Sequence, residues 1–402
     1  MSHNYLTIHT LITLPHHARN RDDRNAPKSH LEGGVPRGIL SPQSQKREAR
    51  LRYELGVQEV DRSIRSRNVV DHVLERAESI AEAAGITFDR GAATKDLRPV
   101  VKTLTDNTDK AKKEDADKAV RARAAHEKKS PAGLSEEDLA EYMAVFDAKA
   151  ASKVTDKDEV DSDTVIWVSS EEVETLANLL VKKQTPTLED AFSKSTGSLA
   201  IAAFGRMFAF QPGLSTEAAF ASSPAITTHS IVIEFDPFTA VDDLDPQGAA
   251  HLNQQAHTSG VYYRSVTIDR RQLQESWTGF NADDARDKLR SLIRHNIESV
   301  PQGKKNSAAA EALPAVIVAE SQLTRTGYNF ERPVTAGVEG GFLEGSVSAL
   351  LEQVSAARSY DPAFFGLTVF GGTELIGTTN DHGPVVTATD LVDTVVDWIY
   401  SK

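Results

Sequence analysis

The chain has 402 residues, a hydrophobic content of 40% and a formal net charge of −13 at pH 7. It is long enough for two or three domains or one elaborated domain, with a core of its own. The absence of cysteine excludes disulfides, thiolate metal sites and cysteine nucleophiles, and the acidic balance excludes a general attraction to polyanions. The N-terminus shows no secretory leader. No apolar run approaches the ~20 residues of a membrane span, so a soluble cytoplasmic protein without a membrane partner is expected.

Tyr5 to Leu14 places Leu6, Ile8, Ile12 and Leu14 on one parity, the pattern of a half-buried strand. The stretch Arg19 to Arg52 follows, with nine basic residues against four acidic ones. Such concentrated positive charge in an acidic chain points to a defined polyanion site. Pro27, Gly33-Gly34 and Pro36 mark a loop, and then Ser41 and Pro42 supply an N-cap and a first helical residue. A helix N-terminus offers N–H groups and a positive dipole end to phosphate. Lys46 and Arg50, at i and i+4, share one face behind it.

Farther on, Asn68 to Ala84 has helical spacing, with Gly85 as its stop. Residues 101–131 are dense in charge and poor in large apolar side chains, which predicts an exposed helix or a disordered insertion. Helices are predicted from Ser135 and from Ser170 to Lys183, making residues 63–190 a mostly helical insertion. Strands are predicted at Ser198 to Phe204, Ala225 to Phe235, Gly260 to Asp269 and Ala315 to Ala319, and a helix over Ala282 to Val300. The tail adds a helix near Ser346 to Ala357, strands around Phe364 to Ile376, and a last helix from Thr389 to Tyr400. With the insertions set aside, the order is strand, helix, strand, strand, helix, strand. That is the α+β, ferredoxin-like βαββαβ unit that RNA-recognition modules also use.

No P-loop, GxGxxG, HExxH or nucleophile elbow is present, so neither a cofactor nor catalytic residues are predicted. His16-His17 near Asp22 and Asp23 make a metal cluster conceivable, but adjacent histidines on a loop point apart, and no metal site is assigned.

Several blocks, in order, resemble a known family. They are Asn20-Arg21-Asp22-Asp23 with Asn25 and Lys28; Gly33-Gly34; Ser41, Gln43, Ser44, Lys46, Arg47 and Arg50; Gly205-Arg206-Met207; Ala225-Ile226-Thr227-Thr228-His229; Phe238-Thr239-Ala240-Val241-Asp242-Asp243-Leu244; Gly248, Ala250-His251-Leu252; and Ser259-Gly260-Val261 with Tyr263-Arg264. They resemble the CasC-type backbone subunit of the type I-E CRISPR Cascade complex over residues 1 to about 305.

The resemblance implies a right-hand arrangement. The palm is the ferredoxin-like (RRM-like) unit, 1–62, 191–224 and 263–402; the fingers are the helical insertion, 63–190; the thumb is a β-hairpin excursion, 225–262. It implies an antiviral ribonucleoprotein in which copies polymerise head to tail along the CRISPR RNA spacer, a heterologous contact that makes a filament. The guide would then read target DNA by base pairing. Implied partners are CRISPR RNA, target DNA in the assembled complex, other copies of the chain and other Cascade subunits; catalysis is not implied. Asn20, Arg21, Lys28, Ser41, Gln43, Lys46, Arg47 and Arg50 fall on implied RNA-backbone positions, and Met207 and Phe238 on implied wedges between nucleotides. The finger lysines that grip DNA have no clear match; Lys182 and Lys183 are the candidates. Between the glycine pair and Ser41 the chain departs from the family, keeping only Arg37 as a cation, so fewer contacts are expected there. Two alternatives stay open: a type III-like backbone that cuts target RNA with Asp22 or Asp23, and a generic RNA-binding module. Arg21 and Arg24 favour an ion-pairing role for these two acids.

Overall fold

Tyr5–His17 (β1) is the strand around which the main sheet is laid down. The computed structural model describes residues 3–105, 164–241, 249–303 and 311–401. In chain order the elements after β1 are β2 (Ser29–Glu32), β3 (Val35–Leu40), α1 (Pro42–Leu55), β4 (Ser63–Ser66), α2 (Val69–Ala83), α3 (Arg90–Thr105), β5 (Ile166–Ser169), α4 (Ser170–Val181), α5 (Leu188–Ala191) and α6 (Leu199–Phe204). They continue with β6 (Phe220–Ser222), β7 (Ala225–Thr227), β8 (Glu234–Val241), β9 (Ala249–Asp269), α7 (Arg270–Ser276), α8 (Ala285–Glu298), β10 (Val316–Gln322), α9 (Leu343–Tyr360), β11 (Phe365–Gly371) and α10 (Ala388–Tyr400). The protein is thus a mixed α+β chain with an antiparallel sheet. It divides into two compact units. One comprises Met1–Gln58, Ala202–Gly205 and Ala218–Lys402; the other comprises Glu59–Ile201 and Arg206–Glu217. Among the described residues, no helix is long and apolar enough to cross a membrane.

The first unit carries a nine-stranded sheet in the order β11-β10-β1-β9-β7-β3-β2, with β6 and β8 also paired to β9. β1 runs antiparallel to β10 on one side and to β9 on the other. Its even-numbered residues Ile12 and Leu14 pack with Leu40, Ala225, Tyr262 and Val300. Its odd-numbered Leu11 packs with Val316, Val318, Phe370 and, from α9, Leu350 and Val354. Both faces are therefore covered. The half-buried strand predicted from the sequence is buried on both sides from Leu6 to Ile12. The polar residues on its odd parity are hydrogen-bonded rather than solvated, as buried polar groups require. Thr7 bonds Thr267 (2.9 Å) and Gln322 (2.9 Å); His9 bonds Tyr263 (2.8 Å) and Glu320 (3.2 Å). Tyr328 and Arg358 also donate to Glu320, at 3.0 and 2.6 Å. Burial pushes the Glu320 carboxyl up, but the hydrogen bond and charge of His9, then those of Arg358, outweigh it and hold the group down at about 2.

Two predicted strands are corrected. Ser198 to Phe204 forms helix α6, not a strand; its Leu-Ala-Ile-Ala-Ala run is alanine-rich, which favours a helix, and Ser198 Oγ accepts from the Ile201 N–H at 3.4 Å. Ala225 to Phe235 is not one strand. After Thr227 the chain turns, with Thr227 Oγ1 donating to His229 O at 2.8 Å, and pairing resumes at Glu234 in the β8/β9 hairpin.

The second unit packs α2, α3 and α4 around an apolar core that includes Val70, Leu74, Leu97 and Leu176. The charged stretch beyond residue 105, the helix predicted from Ser135, and the acids Asp242, Asp243 and Asp245 lie outside the described residues. The N-cap of α4 is Ser169 rather than Ser170: its Oγ accepts from the Glu172 N–H at 3.1 Å while the Glu172 carboxylate accepts from the Ser169 N–H at 2.8 Å, a capping box. Gly85 ends α2 as predicted. With φ 66°, it donates to Glu82 O while Ile86 donates to Ala81 O, the double closure of a Schellman motif.

Candidate nucleic-acid interface

The basic segment begins as a loop that folds back on itself. Arg21 and Pro27 form an antiparallel bridge. Asp22 closes the turn between them: its N–H donates to Ala26 O (2.9 Å), and its Oδ1 accepts from the N–H groups of Arg24 (3.0 Å) and Ala26 (2.9 Å). Asn25 has φ 70°, a left-handed conformation that asparagine tolerates better than most residues. Its Oδ1 accepts from Arg21. The expected pairing of Asp22 and Asp23 with Arg21 and Arg24 is absent: among the described residues neither acid forms an ion pair. The turn's own N–H groups lie closer to Asp22 than any guanidinium, and a short side chain bonds its neighbouring backbone first.

Asn20 ties this loop to the helix that follows. Its carbonyl accepts from the Lys28 N–H (2.8 Å) and its Oδ1 from the Ser41 N–H (3.0 Å). Between them, β2 and β3 form a hairpin turned by Gly33 and Gly34 at φ 61° and 77°, a type I′ turn that needs two left-handed residues. A side chain at Gly33 would also collide with Glu331 O, 1.8 Å from an ideal Cβ.

α1 opens with Ser41 Oγ accepting from the Ser44 N–H (3.4 Å). Ser41 N–H is taken by Asn20 and Pro42 has none, which leaves the Gln43 N–H at the tip. There is no acid in the first turn. Gln43 and Arg47 are exposed, and Asn20, Arg21, Lys28, Ser41, Lys46 and Arg50 are partly exposed. All eight lie on this one loop and helix. Lys46 leans over the Phe204 ring, 5.8 Å from its centroid, and burial lowers its pKa. Arg50 lies 3.5 Å from Glu54, and Arg52 pairs with Glu48 at 3.0 Å and with Glu311.

Two of the nine cations counted in the sequence face inward. Arg37, counted there as the remaining surface cation, is fully buried and donates to four carbonyls: Thr227 (2.8 Å), Phe330 (2.6 Å), Glu32 (3.2 Å) and Glu331 (3.3 Å). Burial lowers its pKa. Arg19, also buried, donates to Pro301 O at 3.1 Å. Sequence reasoning missed two further braces. Gln45 is buried beneath α1, donating to Leu40 O (3.0 Å) and accepting from Arg264 (3.1 Å). Arg264 also donates to Ser299 O (2.9 Å), Asn296 O (2.9 Å) and Ile297 O, and burial pushes its pKa down to about 10. A polar residue at helix position 45 carried no signal that it would face the sheet.

The remaining candidates lie elsewhere. Phe238 pairs with Asn253 in the β8/β9 hairpin and is 37% exposed; Phe235 on the same strand is 65% exposed, and Val232, just before it, 71%. Met207, in the second unit, is 81% exposed. Its neighbour Arg206 is locked: Glu172 accepts from it at 2.6 Å, the Phe208 ring centroid lies 4.7 Å away, and it exchanges backbone hydrogen bonds with Thr216. Lys182 and Lys183 are exposed at the end of α4, where Lys183 takes the left-handed position at φ 58°. Among the described residues no three His, Cys, Asp or Glu side chains gather to hold a metal.

This fold recurs in solved RNA-guided assemblies. The chain aligns over 98% of its length with 100% of a chain of "CRISPR RNA-guided surveillance complex, pre-nicking", at a TM-score of 0.73 and 22% identity. A chain of "CRISPR RNA-guided surveillance complex" aligns with 98% of this chain and 99% of its own, at a TM-score of 0.64 and 20% identity. At such identities the likeness is one of fold. Residues 6–383 match the CT1975-like protein family, Cas_CT1975, and the chain belongs to that family. No curated protein matches it in sequence.

Proposed function

We propose that the chain is the guide-RNA-binding backbone subunit of a type I-E CRISPR Cascade complex, working in the cytoplasm in antiviral defence. The observation that carries this reading is the loop and helix tip at 20–50. Arg21, Lys28 and Arg47 lie on the loop and helix whose N-terminal turn carries no acid, and Asn20, Arg37 and Gln45 brace that segment. Such a site binds phosphate through N–H donors and cations without reading sequence. The strand order β10-β1-β9-β7, with α1 packed against α8, supports the ferredoxin-like, RRM-like description of the palm. On this reading residues 63–190 are the fingers and 225–262 the thumb. Copies of the chain line the guide RNA, other Cascade subunits cap the assembly, and target DNA pairs with the guide. Met207 and Phe238 are the wedges, and Lys182 and Lys183 face the DNA. The subunit is a scaffold, not an enzyme.

Co-expression with a guide RNA tests the reading. Lys28→Glu with Arg47→Glu places acids where phosphate should lie, so protected RNA should be lost while the isolated chain keeps its melting temperature. Retention of RNA at wild-type stoichiometry would sink the site. Incubating the assembled complex with complementary RNA and Mg²⁺ or Mn²⁺ tests the scaffold role. Regular cuts that vanish in Asp22→Ala or Asp23→Ala would move the chain to the enzymatic class, provided that the Asp22 variant, which loses two turn hydrogen bonds, still folds.

A further inference from the structure

Met207 and its two neighbours in sequence are held in opposite ways. Met207 is exposed, while Arg206 before it and Phe208 after it are buried. Arg206 N–H donates to Thr216 O at 2.9 Å, and Thr216 N–H donates back to Arg206 O at 2.8 Å. Phe208 N–H donates to Ser215 Oγ at 2.9 Å. These bonds close the base of a short loop, 206–216, on both sides of the methionine. The Arg206 side chain then reaches the first turn of α4. Its Nη1 donates to Glu172 Oε2 at 2.6 Å and to Trp167 O at 3.2 Å, and its Nη2 to Thr216 Oγ1 at 3.4 Å. The guanidinium carbon lies 4.7 Å from the Phe208 ring centroid and 5.6 Å from that of Phe192, and the two rings meet edge-on at 5.5 Å. The same Glu172 oxygen accepts from the Ser169 N–H in the capping box. The loop is therefore tied to a helix end that is itself pinned.

This ion pair is a poor device for stability alone. Glu172 Oε1 and Arg206 Nε are buried, and among the described residues neither has a hydrogen-bond partner. A buried pair with such gaps returns little of the desolvation it costs, and apolar side chains of the same volume would pack the site as well or better. What they would not supply is direction, which the planar guanidinium fork does. We infer that Arg206 and Glu172 are positioning residues for Met207, holding the backbone on both sides of it so that the thioether enters the nucleotide stack at one place and one angle. Both are buried, so they act through Met207 and not on nucleic acid. Methionine is unbranched and flexible. On a mobile loop it would have to be ordered at the moment of binding, which lowers affinity; on an anchored loop that ordering is done in advance. The inference rests on the proposed role of Met207 as a wedge, but not on the loop and helix at 20–50.

The test uses the complex assembled on guide RNA by co-expression, with dimethyl sulfate reporting guide bases held out of the stack. Met207→Ala should lower the reactivity of the bases that the wedge displaces. Glu172→Gln keeps an acceptor for the α4 cap but removes the charge that orients Arg206. It should lose most of the signal at those same bases, with guide RNA still co-purifying at wild-type stoichiometry. Added to Met207→Ala it should change nothing further, because residues that act through one contact are not additive. Glu172→Gln with Arg206→Met fills the space between the two rings with an apolar side chain. The free chain should keep its melting temperature while the displaced-base signal is still lost, an outcome that a merely stabilising pair would not give. If that double variant fails to fold, Glu172→Gln alone carries the test. In the free chain, amide exchange over 207–215 should quicken in Glu172→Gln while α4 stays protected. Wild-type reactivity in Glu172→Gln, a loss that adds to that of Met207→Ala, or wild-type exchange in the loop each overturns the positioning role and leaves Met207 standing as a wedge. No change in Met207→Ala overturns both, while retained guide RNA still supports the loop and helix.

Discussion

The basic segment at 19–52 and the β8/β9 hairpin belong to one sheet but are held in opposite ways. The segment is braced by side chains reaching inward: Asn20 to Ser41, Arg37 to four carbonyls, Gln45 to Leu40. The hairpin is held by its backbone ladder from Glu234↔His257 to Val241↔Ala249, and it leaves Val232, Phe235 and Phe238 exposed. Counting charge therefore misjudges the first region, because part of its charge is structural. Arg19 and Arg37 serve carbonyls, Arg50 and Arg52 face carboxylates, and Lys46 lies over a ring. Among the described residues, Arg21, Arg24, Lys28 and Arg47 are the cations of the segment with neither a carboxylate nor a ring against them. The hairpin shows the reverse: exposed apolar side chains next to the acids Glu234 and Asp236, a surface suited to stacking rather than to phosphate.

The sharpest way to break this contrast is Arg37→Ala. It leaves four carbonyls without their donor, those of Thr227 and Phe330 buried, and should cost about 3–5 kcal/mol, the scale of a disrupted buried charged network. Arg37→Lys should not rescue it, since one ammonium cannot reproduce the guanidinium fork. Denaturant midpoints check this; a midpoint close to wild type in Arg37→Ala would return Arg37 to the surface charge.

Next comes His17, where β1 meets Thr258 at the root of the hairpin. Burial, then the charges of Arg19, His257 and His16, lowers its pKa to about 3. The unfolded chain titrates near 6.5, so between these values it binds a proton that the folded chain refuses. The contribution is fully present above pH 6.5 and is lost as the pH falls toward 3. Between pH 6.5 and 4.5 it should remove about 2–3 kcal/mol. Below that, Glu320, held down at about 2, gives a second loss as pH falls from 4.5 toward 2. His17→Gln should flatten the upper limb in urea midpoints taken across this range; an unaltered limb would assign it to His229 and His295, whose pKa values burial also lowers.

Arg47→Glu addresses the outer half of the segment. The melting temperature should hold while guide RNA affinity falls about tenfold, the loss of one charge-assisted contact. Filter binding measures it. If Arg50→Glu weakens RNA binding more than Arg47→Glu at equal stability, the division into inner and outer cations fails.

The smallest effect on the free chain is expected from Phe238→Ala. Its ring is exposed, so stability should change by less than about 0.5 kcal/mol, while guide ordering in the assembled complex weakens. A loss of ~3–5 kcal/mol would instead place the ring in a core.

Local chemistry was legible. The helix from Pro42 with its Ser41 cap, the Gly85 stop, the Gly33-Gly34 turn and the buried run at Val316 follow from propensities that act over a few residues. The loop and helix candidates lie together because they are neighbours in sequence. What failed was long-range. Ser198 to Phe204 is too short for periodicity to separate strand from helix, and only its surroundings decide. The ribbon of β4 and β5 joins residues about a hundred positions apart, and no local pattern announces such a pairing.

The sequence by itself determined where positive charge is concentrated, where strands and helices begin, and which blocks resemble a known family, because these depend on the residues at hand and their near neighbours. Only the tertiary structure decided which charges remain for a ligand. An arginine in the sequence carries the same charge at 37 as at 47. Thr227, Phe330 and Glu331 surround the first and leave the second in water, and those partners arrive from hundreds of residues away.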